Sequence, residues 1–406
     1  MIDVAKEIKR WEKLASDKTR WHHLWDDLAR VMLPRRLGFA QTTIEGERRT
    51  EDIFDSTPMQ AAQRLANAIG GIVRPQGLPE VKMKAEQDAL NSMEEVKEWL
   101  ADSEDRLKAA FNNPKARFRQ ASGEIDLDLV VFGTADLFVG ESLSKNNLLF
   151  LSNHLKDVTL FFNEEGQPQG HYRKRNMPLR QLEERFGANK LSEKTREMLE
   201  KDQDKPIDIL HIVIPRKKIK EKPLFAKDLP IGDYWIELDA KHLISEGGFH
   251  EFPFIIPRWD TSSGEDYGRS PGMIALPDAD TLQAMGETIL IAGQRAADPP
   301  LAVPNDGAFD AINTFPGGLA YYDVETATQV RGNPFFPIES GANLPISRDM
   351  QADTRQQIWA AFFRNILNLP IDGPQMTATE VIQRKEEFIR EIGPVFGRLE
   401  TDYTAP

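Results

Sequence analysis

The stretch from Pro253 to Pro300 limits what this chain can fold into more than any other, because three kinds of backbone follow one another in it. Pro253-Phe254-Ile255-Ile256-Pro257 reads as an apolar strand with Arg258 and Trp259 at its end. Gly264-Glu265-Asp266-Tyr267-Gly268-Arg269-Ser270-Pro271 is a glycine-rich, acidic turn. The spacing then predicts a helix over 277–298, with Leu282, Met285, Ile289, Ala292 and Ala296 on one face. Gly286, Gly293 and Ala297 are small enough for another helix to come close, and Asp298-Pro299-Pro300 stops the run. Backbone amides between Gly264 and Gly272 could cradle an anion, but Glu265 and Asp266 repel one. The turn therefore reads as an elbow, with Arg258, Trp259, Tyr267, Gly268 and Arg269 at the bend. No catalytic template asks for this order.

Ahead of the elbow the chain is helical first and strand-rich later. Residues 3–33 carry Trp11, Leu14, Trp21, Trp25, Leu28 and Met32 along one helical face, and Pro34 ends the run. His22 and His23 are adjacent, so their side chains diverge by about 100° and cannot chelate one metal well. Residues 35–55, with Arg35, Arg36, Arg48 and Arg49, read as an exposed basic loop. Ser56-Thr57-Pro58 opens a second helix expected to stop at Gly70-Gly71. Ser92 and Glu95 form a capping box for a third, through Phe111. A fourth is expected from about Lys115 to Val131, ending at Gly133.

Strand-length apolar runs then appear at 137–139, 148–151 and 158–162, with a hairpin turn at Asn163-Glu164-Glu165-Gly166 leading to a strand near His171–Arg175. Short helices are expected from Pro178 to Phe186 and over 192–203, and further strands at 207–214, 233–238, 241–245 and 252–258. The first 276 residues thus read as one α+β unit, helices first and a mixed sheet after. Arg216, Lys217, Lys218, Lys220 and Lys222 lie between two strands, where they either meet phosphates or protect a strand edge from aggregation.

Beyond the long helix, residues 299–345 are rich in proline and glycine and read as strands and turns. Ser347 caps another helix carrying Ile358, Phe362 and Ile366, flanked by Trp359, Phe363 and Leu367. Leu369-Pro370-Ile371-Asp372-Gly373-Pro374 is a loop, and Thr377-Ala378-Thr379-Glu380 caps a last helix to about Leu399.

Composition narrows the function classes. The chain has 406 residues, a formal charge of −13 and no cysteine. Disulfides and thiolate metal sites are excluded, and the acidic balance opposes broad gripping of nucleic acid. No stretch is long and apolar enough for a transmembrane helix, and Met1 to Glu7 lacks a signal-peptide pattern. There is no Gly-Lys-Ser/Thr phosphate loop, no Gly-x-Ser-x-Gly elbow and no His-Glu-x-x-His helix. Asp278-Ala279-Asp280 begins like a calcium loop, but Gln283 and Ile289 stand where glycine and glutamate are required. Two classes remain: an oligomeric channel and assembly scaffold, or a soluble hydrolase-like enzyme whose site assembles from scattered Asp, Glu and His.

The run from Pro253 to Pro271, together with Phe132-Gly133-Thr134-Ala135 and Thr377 to Val381, resembles the head-to-tail connector (portal) proteins of podovirus-type bacteriophages. The resemblance covers essentially the whole chain. It implies a portal-type α+β subunit with a wing at 1–276, a stem helix at 277–300, a small β-rich clip at 301–345 and a second stem helix at 346–368. A tunnel loop at 369–376 and a long helix at 377–406, returning to the wing and ending before the family's crown, complete the expectation. Leu282, Met285, Ile289, Ile358, Phe362 and Ile366 would pack the stem against neighbouring copies along a channel. Leu369, Pro370, Ile371, Asp372, Gly373, Pro374, Gln375 and Met376 would reach into that channel. The resemblance further implies a non-enzymatic ring, a dodecamer, at one capsid vertex of the virion, assembled in the host cytoplasm. Its partners would be other copies of itself, the major capsid protein and scaffold, the large terminase, a tail adaptor or head completion protein, and double-stranded DNA passing through. No cofactor, metal or membrane is implied.

Overall fold

A computed structural model describes residues 2–40, 44, 46–74, 82–142, 146–217, 224–305, 315–323, 336–338, 344–364, 393 and 397–404. The helix at the N-terminus, α1 (Val4–Met32), starts where the Asp3 carboxylate accepts from the Lys6 amide at 3.2 Å. Its aromatic stripe serves two cores: Trp11 and Leu14 cover one face of a large sheet, while Trp25 and Leu28 are fully buried in the central cluster. Four helices follow: α2 (Thr57–Val73), the short α3 (Asp88–Asn91), α4 (Glu94–Phe111) and α5 (Phe118–Phe132).

Three boundaries differ from the sequence reading. Helix α2 runs through Gly70-Gly71, because Gly70 is needed there: a Cβ on it would stand 2.9 Å from the Asp126 carboxylate. Its first turn is closed by the Asp55 carboxylate, which accepts from the Thr57 amide at 2.8 Å, and Ser56 contributes no side-chain cap. Helix α4 is entered from Met93, which makes no side-chain cap bond. The region read as an exposed basic loop is also partly internal: Arg36 bonds Asp128 at 2.8 Å and Ser152 at 3.0 Å.

Two antiparallel sheets complete the body. β1 (Leu137–Glu141), β2 (Leu148–Ser152) and β8 (Phe254–Ile255) form one, in the order β2-β1-β8. β3 (Val158–Phe162), β4 (Pro168–Pro178), β5 (Pro206–Pro215), β6 (Ile231–Glu237) and β7 (His242–Phe249) form the other in sequence order. The expected mixed sheet is thus corrected to antiparallel pairing throughout the body. The helices α6 (Leu179–Phe186) and α7 (Glu193–Lys201) cover one end of the large sheet through Leu182, Leu199 and Trp235.

After the elbow comes α8 (Pro271–Ala297), which begins two turns earlier than the spacing predicted. Ser270 caps it, accepting from the Met273 amide at 3.0 Å, and Pro271 fits the first turn. Pro277 lies inside the helix; it removes one donor, and burial of Ala275, Ala279 and Leu282 around it holds the helix on course. α8 pairs with α9 (Leu344–Ala361), which starts before Ser347, with Pro345 in its first turn. Phe363 then takes a left-handed backbone, φ 59°, just past the end of α9. Between the two helices lies a small sheet of β9 (Leu301–Asn305), β10 (Leu319–Asp323) and β11 (Phe336–Pro337), in the order β10-β9-β11. Here β9 and β10 are parallel and β11 antiparallel.

Candidate functional site

The elbow is built by two short sequence motifs that meet backbone to backbone. Gly133 ends α5 with φ 78°, and a Cβ on it would stand 2.5 Å from the Gly268 carbonyl oxygen. A Cβ on Gly268 would in turn stand 2.2 Å from the Gly133 carbonyl oxygen. Neither position admits a side chain, because the obstacle is main chain on both sides. Thr134 is fully buried and its hydroxyl oxygen accepts from the Gly268 amide at 2.7 Å. The Trp259 amide donates to Gly133 at 2.9 Å, and the Ala135 amide to Pro257 at 3.1 Å. The Ser270 hydroxyl donates to Val131 at 2.7 Å. Phe132-Gly133-Thr134-Ala135 and the glycine-rich turn are therefore one structural unit.

Side chains seal the joint. Tyr267 is buried edge-on against Trp25, ring centroids 5.1 Å apart, and its hydroxyl accepts from the Leu160 amide at 3.2 Å. Burial pushes the Tyr267 phenol well above its usual range. Arg258 lies over the Phe162 ring at 4.1 Å and donates to the Gly166 carbonyl at 2.8 Å. Desolvation lowers its pKa, against the pull of Asp402 at 3.6 Å. Arg269 pairs with Glu265 through two nitrogens and lies 4.7 Å over Trp21. Glu265, which repels an anion in the sequence reading, is thus spent on Arg269.

The structure brings together all five predicted elbow residues. Of the predicted stem residues, Leu282, Ile358 and Phe362 are buried in the subunit's own core, and Met285 and Ile289 are half-buried. Leu282, Ile358 and Phe362 are thus covered by their own chain. Gly286 lets Phe54 of the preceding segment approach, its hypothetical Cβ 2.8 Å from that of Phe54, whereas Gly293 faces open space. Ile366 and the loop Leu369 to Met376 lie outside the described residues, as do Thr377 to Val381. Of the basic run, Arg216 is engaged with Glu246 at 2.7 Å; 218–223 lie outside the described residues.

Sequence reasoning missed a buried junction that ties the far end of the chain to the elbow. Asp126 accepts from Arg74 and, at 3.1 Å, from the Tyr403 hydroxyl, while Arg74 also donates to Tyr403 at 2.7 Å. Burial raises the Asp126 pKa and Arg74 opposes the rise. Arg398 reaches Asp260 at 3.0 Å. An aspartate inside the apolar run of α5 was the one available signal. The His–Asp contacts, His171 with Asp136 at 3.1 Å and His211 with Asp233 at 2.6 Å, are roofed by Phe254 and Trp235. Among the described residues no group of His, Asp and Glu is placed to hold a metal ion.

These features define a structural junction between the body and the helical hairpin of α8 and α9. The model of the bacteriophage head to tail connecting proteins matches residues 5–406, and the chain belongs to that family. The chain is 27% identical over 410 residues to the probable portal protein of Bordetella phage BPP-1, spanning 98% of this chain and 72% of that one. It is 26% identical over 419 residues to the portal protein of Salmonella phage epsilon15, spanning 100% of this chain and 74% of that one. A chain in the neck of an empty gene transfer agent (GTA) particle aligns over 88% of this chain and 80% of its own length. Its identity is 12% and its TM-score 0.39, too low to carry weight. The chain is a phage portal protein, a structural connector and not an enzyme. The competing expectation of a hydrolase-like enzyme is overturned by that membership.

Proposed function

We propose that residues 1–270 form the wing of a portal subunit, α8 and α9 its stem, and the sheet of β9, β10 and β11 its clip. Twelve such subunits would ring one capsid vertex of the virion, after assembly in the host cytoplasm, around a channel for double-stranded DNA. The clip would dock the large terminase during packaging and later the tail adaptor or head completion protein, while the wing would meet the major capsid protein and scaffold. The loop at 369–376 would reach the channel; its one charge, Asp372, leaves it unable to hold phosphate.

One observation supports this reading above the rest: an inserted sheet leaves the end of α8 and returns at the start of α9, so it must protrude from the helical hairpin. Among the described residues its base is tied to the end of α8, where the Gly317 amide donates to Asp298 at 3.1 Å. Cryo-electron microscopy of the purified protein tests the ring: class averages with a central channel are expected, and monomers under all assembly conditions would overturn it. Replacing 301–343 by a short linker tests the clip. The variant should keep a folded body and lose terminase and adaptor binding; retained binding to both defeats the assignment.

A further inference from the structure

We propose that Arg173, Arg175 and Arg185 receive the acidic stripe of helix α4 from the next copy of this chain, making these two surfaces a contact between ring neighbours. The inference rests on the ring-forming portal reading and names one of its interfaces.

β4 places Arg173 and Arg175 two residues apart, so both side chains leave the same face of the five-stranded sheet. His211 pairs with Arg173 across β5, and Trp235 pairs with His211 across β6, the two rings stacked at 4.1 Å. Arg185 of α6 lies over the other side of that tryptophan, also at 4.1 Å. The three guanidiniums thus lie near one another, Arg175 repelling both Arg173 and Arg185. Among the described residues, neither the Arg173 nor the Arg175 side chain has a hydrogen bond or ion pair, and Arg173 Nε is buried without an acceptor. Of the neighbouring acids, Asp136 is held by Asn153 and His171 and Asp233 by His211, while Asp157 attracts both Arg173 and Arg175 without a hydrogen bond to either among the described residues. Desolvation lowers the pKa of Arg173 to about 10 and depresses those of Arg175 and Arg185, with repulsion from Arg175 adding to the fall at Arg173 and Arg185. Such a cluster calls for carboxylates supplied from outside the subunit.

Helix α4 has what the cluster lacks. No residue of α4 is buried. Glu95, Glu98, Asp102 and Asp105 recur at spacings of three and four, forming one solvent-facing stripe. Among the described residues only Asp102 is paired, with Arg106 on the same helix. Trp99, 66% exposed, stands beside the stripe and offers an aromatic anchor. The two surfaces cannot meet within one subunit. Phe111 of α4 packs on Phe150 of β2, whereas the arginine face meets the three-stranded sheet at Phe254 of β8, the opposite edge. In a closed ring every contact is head to tail, so surfaces on opposite sides of one subunit become partners in the next.

The test is the variant Glu95→Lys with Glu98→Lys and Asp105→Lys, all exposed and without ion pairs within the subunit among the described residues. Its denaturation midpoint should match wild type, while sedimentation velocity should show the ring peak lost to monomer. Adding Arg175→Glu and Arg185→Glu to that chain should restore the ring. Should the glutamate pair fail to fold alone, Arg175→Gln with Arg185→Gln should weaken wild-type rings and make the remainder less sensitive to salt. Rings from the triple-lysine variant as abundant as wild type, at low and high salt, overturn the inference while the portal reading stands. Wild-type protein that forms no ring overturns the portal reading first, and this interface with it.

Discussion

The elbow and the far end of the helical hairpin differ in what each leaves unfinished. At the elbow, Thr134 accepts from Gly268, Ser270 donates to Val131, and Trp25, Trp259 and Tyr267 are buried within a single chain. At the far end, Leu290 and Met350 are each 52% exposed, Ile291 is 41% exposed and Phe315 58%. Single apolar residues on a surface need no explanation, but several along one hairpin mark a surface meant for contact. The elbow fixes direction inside the subunit; the hairpin's far end leaves apolar side chains exposed on it. Substitutions at the first should therefore cost folding, and at the second, assembly.

The largest effect is expected at the glycine pair. Gly268→Val puts two methyl groups where the Gly133 carbonyl already lies within 2.2 Å of a bare Cβ. Main chain has to move, and the whole joint between α5 and α8 moves with it. A loss of at least ~4 kcal/mol is expected, or failure to fold at all. Denaturant titration checks it; a cost under ~1 kcal/mol would mean that the elbow is pliable and the contrast false.

Lys18 offers a smaller effect with a pH signature. Its ammonium is buried between α1 and the β2–β3 turn, donating to the Leu155 carbonyl, to Lys156 at 3.1 Å and to Val158 at 2.5 Å. Burial lowers its pKa to about 7, against the attraction of Asp157 and Asp136. In the unfolded chain the group holds its proton up to about 10.4. Between those values the unfolded state binds more protons, so stability should rise as pH rises from about 7 towards 10. Lys18→Met should lose that slope and cost about 2–3 kcal/mol near neutrality, since three carbonyls lose their donor. A flat wild-type profile over this window would show that the ammonium stays charged at its carbonyl cage.

Tyr403→Phe should cost less, about 1–2 kcal/mol, because Arg74 and Asp126 remain paired when the hydroxyl is gone. Calorimetry should report the loss without a change in ring size. A cost near zero would detach the chain's far end from the elbow's energetics.

Much of this was legible in the sequence, and the residues say why. The strands at 137, 148, 158 and 207 and the hairpin at Asn163 were marked by short apolar runs and turn chemistry. The five elbow residues were legible because they lie within one short run. Their contact with Gly133 was not, since nothing local tells one glycine that it faces another 135 residues later. The same holds for Asp126 with Tyr403. Gly70 was misread as a stop because a glycine that admits a neighbouring carboxylate looks, in sequence, like one that ends a helix. Leu282 and Phe362 were assigned to neighbouring subunits because helical spacing shows that a face is apolar but not which chain covers it.

That last ambiguity sets the smallest effect on the fold and the sharpest test of the comparison. Leu290→Gln with Met350→Gln keeps helix-forming residues in α8 and α9 while removing two exposed apolar side chains. Neither side chain is part of the buried core, so subunit stability should change by no more than ~0.5 kcal/mol. If neighbouring copies cover this surface, each interface loses two apolar contacts, and the loss recurs at every interface around the ring. Sedimentation velocity should then show the ring dissociating at protein concentrations where wild type stays assembled. Rings as stable as wild type would mean that this end of the hairpin faces something other than a neighbour. A large loss of subunit stability would instead mean that the far end, like the elbow, is completed within its own chain.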